Sequence, residues 1–303
     1  MSFGEILTKQ LIGLAVLIAL TLCVAGESIA QSEQSEDDTA RVVYSTVLKD
    51  GSILIGTILR DTPDTLVVEM TSGMVMSIPR TQIKRMERLS GKVVQGEYLR
   101  RDPNDTRMIF APTARPLRSG QGYFAVYEVF FPYLSVGILD VLSVGAGMSL
   151  FPGAGTQLFY IVPKISIPLA GRDVAIAAGA LYTNLFSSDR EGSGILYGLG
   201  TVGSDRAAAT IGLGYGFHGG DIADDPILML GGELQVSNGA KFLTENWFPL
   251  DSDINYFSFG VRFFGDHLAG DFGFIYPVDK KNKHSRGFPM IPWIGFSYNF
   301  GGK

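Results

Sequence analysis

The 303-residue chain contains one cysteine and three histidines, and its basic residues are not in excess. Because Cys23 is alone, no intrachain disulfide can form, and the fold depends on packing and backbone pairing. The 25 Lys and Arg against 30 Asp and Glu give a formal net charge of −5. The positive balance typical of nucleic-acid-binding proteins is therefore missing, and we expect no nucleic-acid partner.

Long apolar runs are confined to the first thirty residues. Residues 11–26 form an apolar core behind Lys9, and Ser28-Ile29-Ala30 has the small-x-small pattern of a cleavage site. The run is shorter than the ~20 residues of a spanning helix, so we predict a signal peptide at 1–30. Residues 31–40 are acidic and lack aromatics, which predicts a disordered leader.

Glycine and aromatic residues are abundant, with 38 Gly, 20 Phe and 12 Tyr. In TIGLGYGF, residues 210–217, large apolar residues alternate with Thr and Gly, and 142–150, 228–236, 257–264 and 294–300 show the same pattern. This period of two predicts strands with one apolar face. A soluble β-sandwich would bury that face, whereas a transmembrane barrel would turn it to lipid.

Three features favour the barrel. The second face carries mainly Gly, Ser, Thr and Asn, short and long connections alternate, and the aromatic strand IPWIGFSYNF lies almost at the C-terminus. Residues 106–303 resemble bacterial outer-membrane β-barrel proteins in these respects. The resemblance implies about twelve antiparallel strands, with 107–117 as the first strand and 116–122 as the first outer loop. It also implies outer-membrane lipid as a partner. A soluble secreted β-sandwich is the alternative fold.

Residues 41–90 form short alternating runs separated by turn signals, which predicts a small β domain. Within it, VLKDGSILIG resembles the first half of an Sm-like motif, which implies a small barrel-like sheet. Residues 91–105 are polar and turn-rich and are predicted to be a linker. We expect the small domain to lie in the periplasm, where the cell wall or a periplasmic protein would be its partner.

Charged residues also occur at positions predicted to face the barrel interior. Burying an unpaired charge is costly, so these residues should either pair with one another or be hydrated. The first case is a packed salt-bridge network, and the second is the lining of a small pore. The lumen-lining candidates are Arg115, Glu128, Lys164, Glu233, Glu245, Arg262 and Asp271.

No motif indicates catalysis, a metal or a cofactor. GLGTVG, residues 198–203, leads into another alternating strand and not into the helix of a dinucleotide site. DSDIN, residues 251–255, lacks the glycine and the final glutamate of a calcium loop. His218, His267 and His284 have no serine motif beside them. We therefore predict a non-enzymatic barrel that passes or binds small solutes. The alternative is a structural or adhesion barrel.

Overall fold

The computed structural model describes residues 42–89, 91–94, 96–170, 173–186, 191–280 and 290–301. The predicted signal peptide, the predicted leader and His284 lie outside the described residues. The regular secondary structure of the described residues is β-strand, apart from one 3-10 turn at Arg80–Gln82. No helix in the described part is long and apolar enough to cross a membrane.

A separate five-stranded antiparallel sheet precedes the barrel. Its strands are β1 (Val43–Leu48), β2 (Ile53–Asp61), β3 (Thr65–Met70), β4 (Val75–Pro79) and β5 (Ile83–Arg88). The spatial order is β4-β3-β2-β1-β5, so the 3-10 turn carries the chain from one edge strand to the other. Leu66, Val68 and Ile78 form its buried core. Within the predicted linker, β6 (Lys92–Val94) and β7 (Glu97–Leu99) form a hairpin.

Twelve antiparallel strands form a closed barrel, which confirms the predicted fold class and strand number. Its first and last strands pair with each other and complete the ring. The strands are β8 (Gly122–Tyr127), β9 (Phe131–Gly137), β10 (Leu142–Met148), β11 (Leu158–Ala170), β12 (Val174–Leu185), β13 (Ser193–Gly203), β14 (Ala207–His218), β15 (Asp221–Ser237), β16 (Ala240–Pro249), β17 (Ile254–Phe264), β18 (Leu268–Asp279) and β19 (Ile291–Phe300).

The prediction that residues 107–117 form the first strand is wrong. This segment lies outside the wall, because its amides bond to side chains such as those of Glu245 and Thr201 and not to the backbone of a neighbouring wall strand. The twelfth strand of the barrel comes instead from residues 122–137, which fold as the two antiparallel strands β8 and β9. A turn at residues 128–130 separates them, because Glu128 and Val129 adopt positive φ angles of 47° and 65°.

The connections define two ends of the barrel. We call the end where β9–β10, β11–β12, β13–β14, β15–β16 and β17–β18 turn the short-turn end, and the opposite end the long-loop end. The chain enters β8 and leaves β19 at the short-turn end.

Residues 116–122, predicted to be an outer loop, also lie at the short-turn end, since the Ser119 amide donates to the Asp140 carboxylate at 3.2 Å. The sequence of residues 218–226 predicts a long link, but residues 221–226 belong to β15.

The faces of the strands are arranged inside out relative to a soluble protein. In β14, Ile211, Leu213 and Tyr215 are exposed on the outside, while Gly212 and Gly214 are buried. Large apolar side chains are likewise exposed around the whole ring, among them Phe124, Ile176, Phe242, Phe259, Phe272 and Phe296. An apolar outer face and a polar inner face are typical of strands that meet lipid.

Phe259→Arg on this outer face should lower the free energy of unfolding by ~2–4 kcal/mol, because Arg at mid-membrane depth lacks water. The measurement is the folded fraction in lipid vesicles along a urea series, read from the gel mobility of unheated samples. Leu250→Arg, in the bend after β16, should cost no more than ~1 kcal/mol near the interface. Equal effects of the two substitutions would show that Phe259 does not face lipid.

Candidate functional site in the barrel lumen

Residues 100–117, which we call the lumen segment, fold into the barrel interior. The segment enters at the short-turn end, where Arg100 Nε contacts Asp266 Oδ1 at 3.0 Å and the Arg100 amide donates to Asn238 Oδ1. It rises to Phe110, whose amide donates to the carboxylate of Glu245. It then returns, since Arg115 Nη2 donates to the carbonyl of Ser204 in the β13–β14 turn at 3.0 Å. The lumen segment is therefore a re-entrant loop.

Arg262 is the centre of the contacts that hold the rising half of the lumen segment. Its Nε lies 2.6 Å from Asp271 Oδ1, and its Nη1 lies 2.9 Å from Asp102 Oδ2. The same guanidinium donates to the carbonyls of Asn104, Arg107 and Met108. A fully buried Arg thus saturates its donors on two carboxylates and the backbone of the segment.

A second set of contacts holds the returning half. Arg115 Nη1 lies 2.6 Å from Glu233 Oε1, and Lys241 Nζ bridges Glu233 and Asp102 at 2.9 Å and 3.2 Å. Lys164 Nζ donates to the carbonyls of Thr113 and Arg115, both at 2.9 Å. The returning half is thereby fastened to β11 and β15, while Lys241 of β16 links Glu233 to Asp102 of the rising half.

Glu245 holds the tip of the segment through N–H donors. It accepts hydrogen bonds from the amides of Phe110 and Ala111 at 2.8 Å and 2.9 Å, and from Trp247 Nε1 at 2.8 Å. The structure brings six of the seven lumen-lining candidates together around the segment. Glu128 is the exception, because it lies in the β8–β9 turn and its carboxylate accepts from the Ile294 amide.

The buried charges are balanced in number. The described residues contain five buried cations and five buried anions, so the interior holds a neutralised network and no field of one sign. The cations are Arg107, Arg115, Lys164, Lys241 and Arg262, and the anions are Asp102, Asp105, Glu233, Glu245 and Asp271. Charges inside and aromatic rings outside exclude a soluble β-sandwich. The chain has the fold of an outer-membrane β-barrel.

A cavity of about 100 Å³ lies between the tip of the lumen segment and the long-loop end of this outer-membrane barrel. Aromatic rings dominate its wall: Tyr127, Tyr133, Tyr160, Tyr197, Trp247 and Phe110. Aliphatic side chains, among them Ile195, Leu199 and Met229, complete it. The Tyr133 and Tyr160 rings stack at 5.7 Å, and Arg107 lies 5.2 Å from the centre of the Tyr127 ring. A smaller cavity of about 30 Å³, lined by Ser135, Ser143 and Lys164, lies closer to the short-turn end.

Sequence reasoning missed four charged residues of this site. Lys241 has the same strand parity as Leu243 and Glu245, so the alternation in AKFLTENWF could have identified it. Asp102, Asp105 and Arg107 could not be found in this way, since the lumen segment has no strand periodicity. The inward tyrosines could have been found from parity, as Tyr123, Ala125 and Tyr127 alternate in β8.

Comparisons with known proteins give fold likeness only. No protein-family model and no curated protein matches the chain. Among solved structures, the KdgM porin in complex with disordered oligogalacturonate is similar at 9% identity and a TM-score of 0.45, covering 59% of this chain and 98% of that one. The NanC porin has 10% sequence identity and a TM-score of 0.38, and the match covers 59% of this chain and 97% of that one. The outer membrane protein Omp33 of Acinetobacter baumannii has 10% sequence identity and a TM-score of 0.37, and the match covers 62% of this chain and 100% of that one.

Proposed function

We propose that this protein is a non-enzymatic outer-membrane barrel that binds a small apolar solute in the cavity above the lumen segment. The observation that carries the proposal is the wall of that cavity, which is built mainly from aromatic rings and aliphatic side chains, with Arg107 as its one charged lining residue. The interior of a water-filled channel is polar, so an apolar chamber at mid-barrel favours a solute with little hydrogen-bonding capacity.

The size of the cavity limits the solute. Apolar cavities of roughly 150 Å³ in other proteins stay dry and bind benzene, so about 100 Å³ matches a molecule of one small ring. Several rings of the wall are themselves in contact, such as those of Tyr127 and Tyr133, whose centroids lie 6.1 Å apart. An aromatic solute would extend this cluster through offset or edge contacts.

The lumen segment separates this chamber from the short-turn end. Its buried contacts with Arg262, Lys241 and Glu233 fill the interior between Phe110 and the short-turn end. The solute is therefore bound first, and passage to the other side requires displacement of the segment. We therefore propose that the inward charges form a packed salt-bridge network and do not line an open pore.

The proposed orientation places the short-turn end in the periplasm. Barrels of this class have short periplasmic turns and longer outer loops, and the chain reaches the lumen from the short-turn end. The five-stranded sheet then belongs to the periplasmic side, with the cell wall or a periplasmic protein as its partner. Lys84, Arg85 and Arg88 are exposed on its edge strand β5 and would favour an anionic partner.

Fluorobenzene should give a separate, saturable ¹⁹F NMR resonance with the detergent-solubilised protein, distinct from the signal of free and micellar probe. Ile195→Trp should abolish that resonance, because Ile195 lines the cavity and the larger indole would occupy it. The proposal fails if the wild-type protein shows only the micellar signal.

Leu196→Trp provides the matched control for this experiment. Leu196 is the next residue of β13 and is exposed on the outer face, so the same ring is added to the lipid side of the wall. The bound resonance should persist in Leu196→Trp. Its loss in both variants would mean that the added ring acts on barrel assembly and not on the cavity.

A further inference from the structure

Three neighbouring strands of the barrel are much shorter than the others. β8 has 6 residues and β9 and β10 have 7 each, whereas β11–β19 have 10 to 17. We call β8–β10 the short panel. At ~3.4 Å per residue and a tilt of roughly 40°, such strands raise the wall by about 16–18 Å, against an apolar band of about 25 Å. The short panel therefore does not span the hydrocarbon of the membrane.

Both rims of the short panel carry exposed apolar side chains. At the long-loop end these are Val129, Phe130, Leu150 and Phe151, and at the short-turn end they are Ile138, Leu139 and Val141. Val129 is 69% exposed, the largest value among the exposed hydrophobic side chains of the described chain. The short-turn rim also carries the exposed carboxylate of Asp140, which suits an edge in water or headgroups, whereas the carboxylate of Glu128 at the long-loop rim is bonded to the Ile294 amide. Since rims in water carry polar and charged residues, the panel ends within the hydrocarbon at its long-loop rim.

The β8–β9 turn holds the long-loop rim at a low position. Tyr127 pairs with Gly295, and β19 continues for four more residues to Ile291, so the neighbouring wall is higher. The Glu128 amide donates to the Ile294 carbonyl at 3.0 Å, and its carboxylate accepts from the Ile294 amide at 2.8 Å. Val129 keeps a positive φ of 65°, which β-branched residues rarely adopt. The turn is thus fixed against β19 despite its local conformational cost.

The aromatic cavity lies directly behind this rim. Tyr127 is the last residue of β8, and Tyr133 is the third residue of β9, so both cavity-lining rings belong to the top of the panel. Trp293, on the inner face of β19, lies 5.8 Å from the Tyr127 ring. The β8–β9 turn, with exposed Val129 and Phe130, is the part of the wall that adjoins these inner rings.

We propose that the short panel is a lateral portal, through which a small apolar solute moves between the membrane hydrocarbon and the cavity over the Val129–Phe130 rim. The solute class rests on the proposed function, but the opening rests on strand length and rim composition alone. By this route an apolar molecule reaches the cavity without crossing the polar opening at the long-loop end. The occupant is a solute dissolved in the leaflet on the long-loop side.

The two tryptophans test lipid access directly. Both face the lumen, Trp293 beside the short panel and Trp247 on β16, where the strand is 10 residues long. Trp247→Phe and Trp293→Phe each leave a single tryptophan in the protein, which is then reconstituted in phosphatidylcholine vesicles with brominated acyl chains. Bromines near the headgroup end should quench Trp293 several-fold more strongly than Trp247.

Longer β8 and β9 strands should remove this difference in quenching between Trp293 and Trp247. Insertion of Thr-Val before Glu128 and Thr-Val after Phe130 lengthens β8 and β9 by two residues each and should reduce the quenching of Trp293 to the level of Trp247. Equal quenching of the two tryptophans in the unmodified wall would overturn the portal. So would quenching of Trp293 by aqueous iodide in place of lipid bromines. No solute is used, so a positive result without fluorobenzene binding would reject the proposed function alone.

Discussion

Discrete conductance steps should appear in planar bilayers when residues 104–115 are replaced by a Gly-Ser linker of equal length. The wild-type protein should give no steps, because the lumen segment packs against β11, β13 and β15–β19 through buried hydrogen bonds and ion pairs. The replacement removes Arg107, Met108 and Arg115 from the interior and leaves the wall charges hydrated. Twelve strands enclose more space than the filled interiors of eight-stranded barrels, so an emptied lumen should admit ions.

Deletion of residues 43–88 is the control for that measurement. It removes the five-stranded sheet and no residue of the barrel or lumen segment, so the bilayer should stay silent. Wild-type protein that already conducts in steps of the same size as the linker variant would show that the segment does not close the barrel.

Arg262→Met should lower the free energy of unfolding by ~3–5 kcal/mol. The substitution removes one of the two cationic partners of each of two buried carboxylates, so Asp102 keeps only Lys241 and Asp271 keeps only Arg107. The balanced network then carries one uncompensated negative charge in a packed interior. It also deletes the donors to three carbonyls of the lumen segment. Urea unfolding in lipid vesicles, followed by tryptophan fluorescence, gives the measurement.

Arg206→Met is the matched control, since Arg206 is exposed in the β13–β14 turn region. Surface substitutions of this kind usually change stability by less than ~0.5 kcal/mol. If Arg262→Met were as mild as Arg206→Met, the buried network would not be what fixes the segment in the lumen.

The wall of the barrel was accessible from sequence because strand faces repeat every two residues. The alternation in residues 210–217 and 257–264 predicts which side chains meet lipid, and the structure confirms it for Ile211 and Phe259. Glycine and serine on the opposite face leave room for a filled interior. Lys164 in β11 and Arg262 in β17 lie inside for the same reason of parity.

The position of the lumen segment was not accessible in this way. Its location depends on contacts between residues far apart in the chain, such as Arg107 with Asp271 and Arg115 with Glu233. No local pattern encodes such pairs. The turn between β8 and β9 was inaccessible for a different reason: Val129 at positive φ departs from the usual turn chemistry, so the sequence there shows no turn signal.

Hydrogen–deuterium exchange over the lumen segment tests the central claim, that the barrel is filled by its own chain, most directly. The amides of Phe110 and Ala111 donate to Glu245, and that of Ala114 donates to Thr201 Oγ1. Hydrogen-bonded amides inside the barrel exchange only when the structure opens, so these three should exchange as slowly as the amides of β13 and β16. Exchange at the rate of an unstructured peptide would contradict the account, since the segment would then lie free of the lumen.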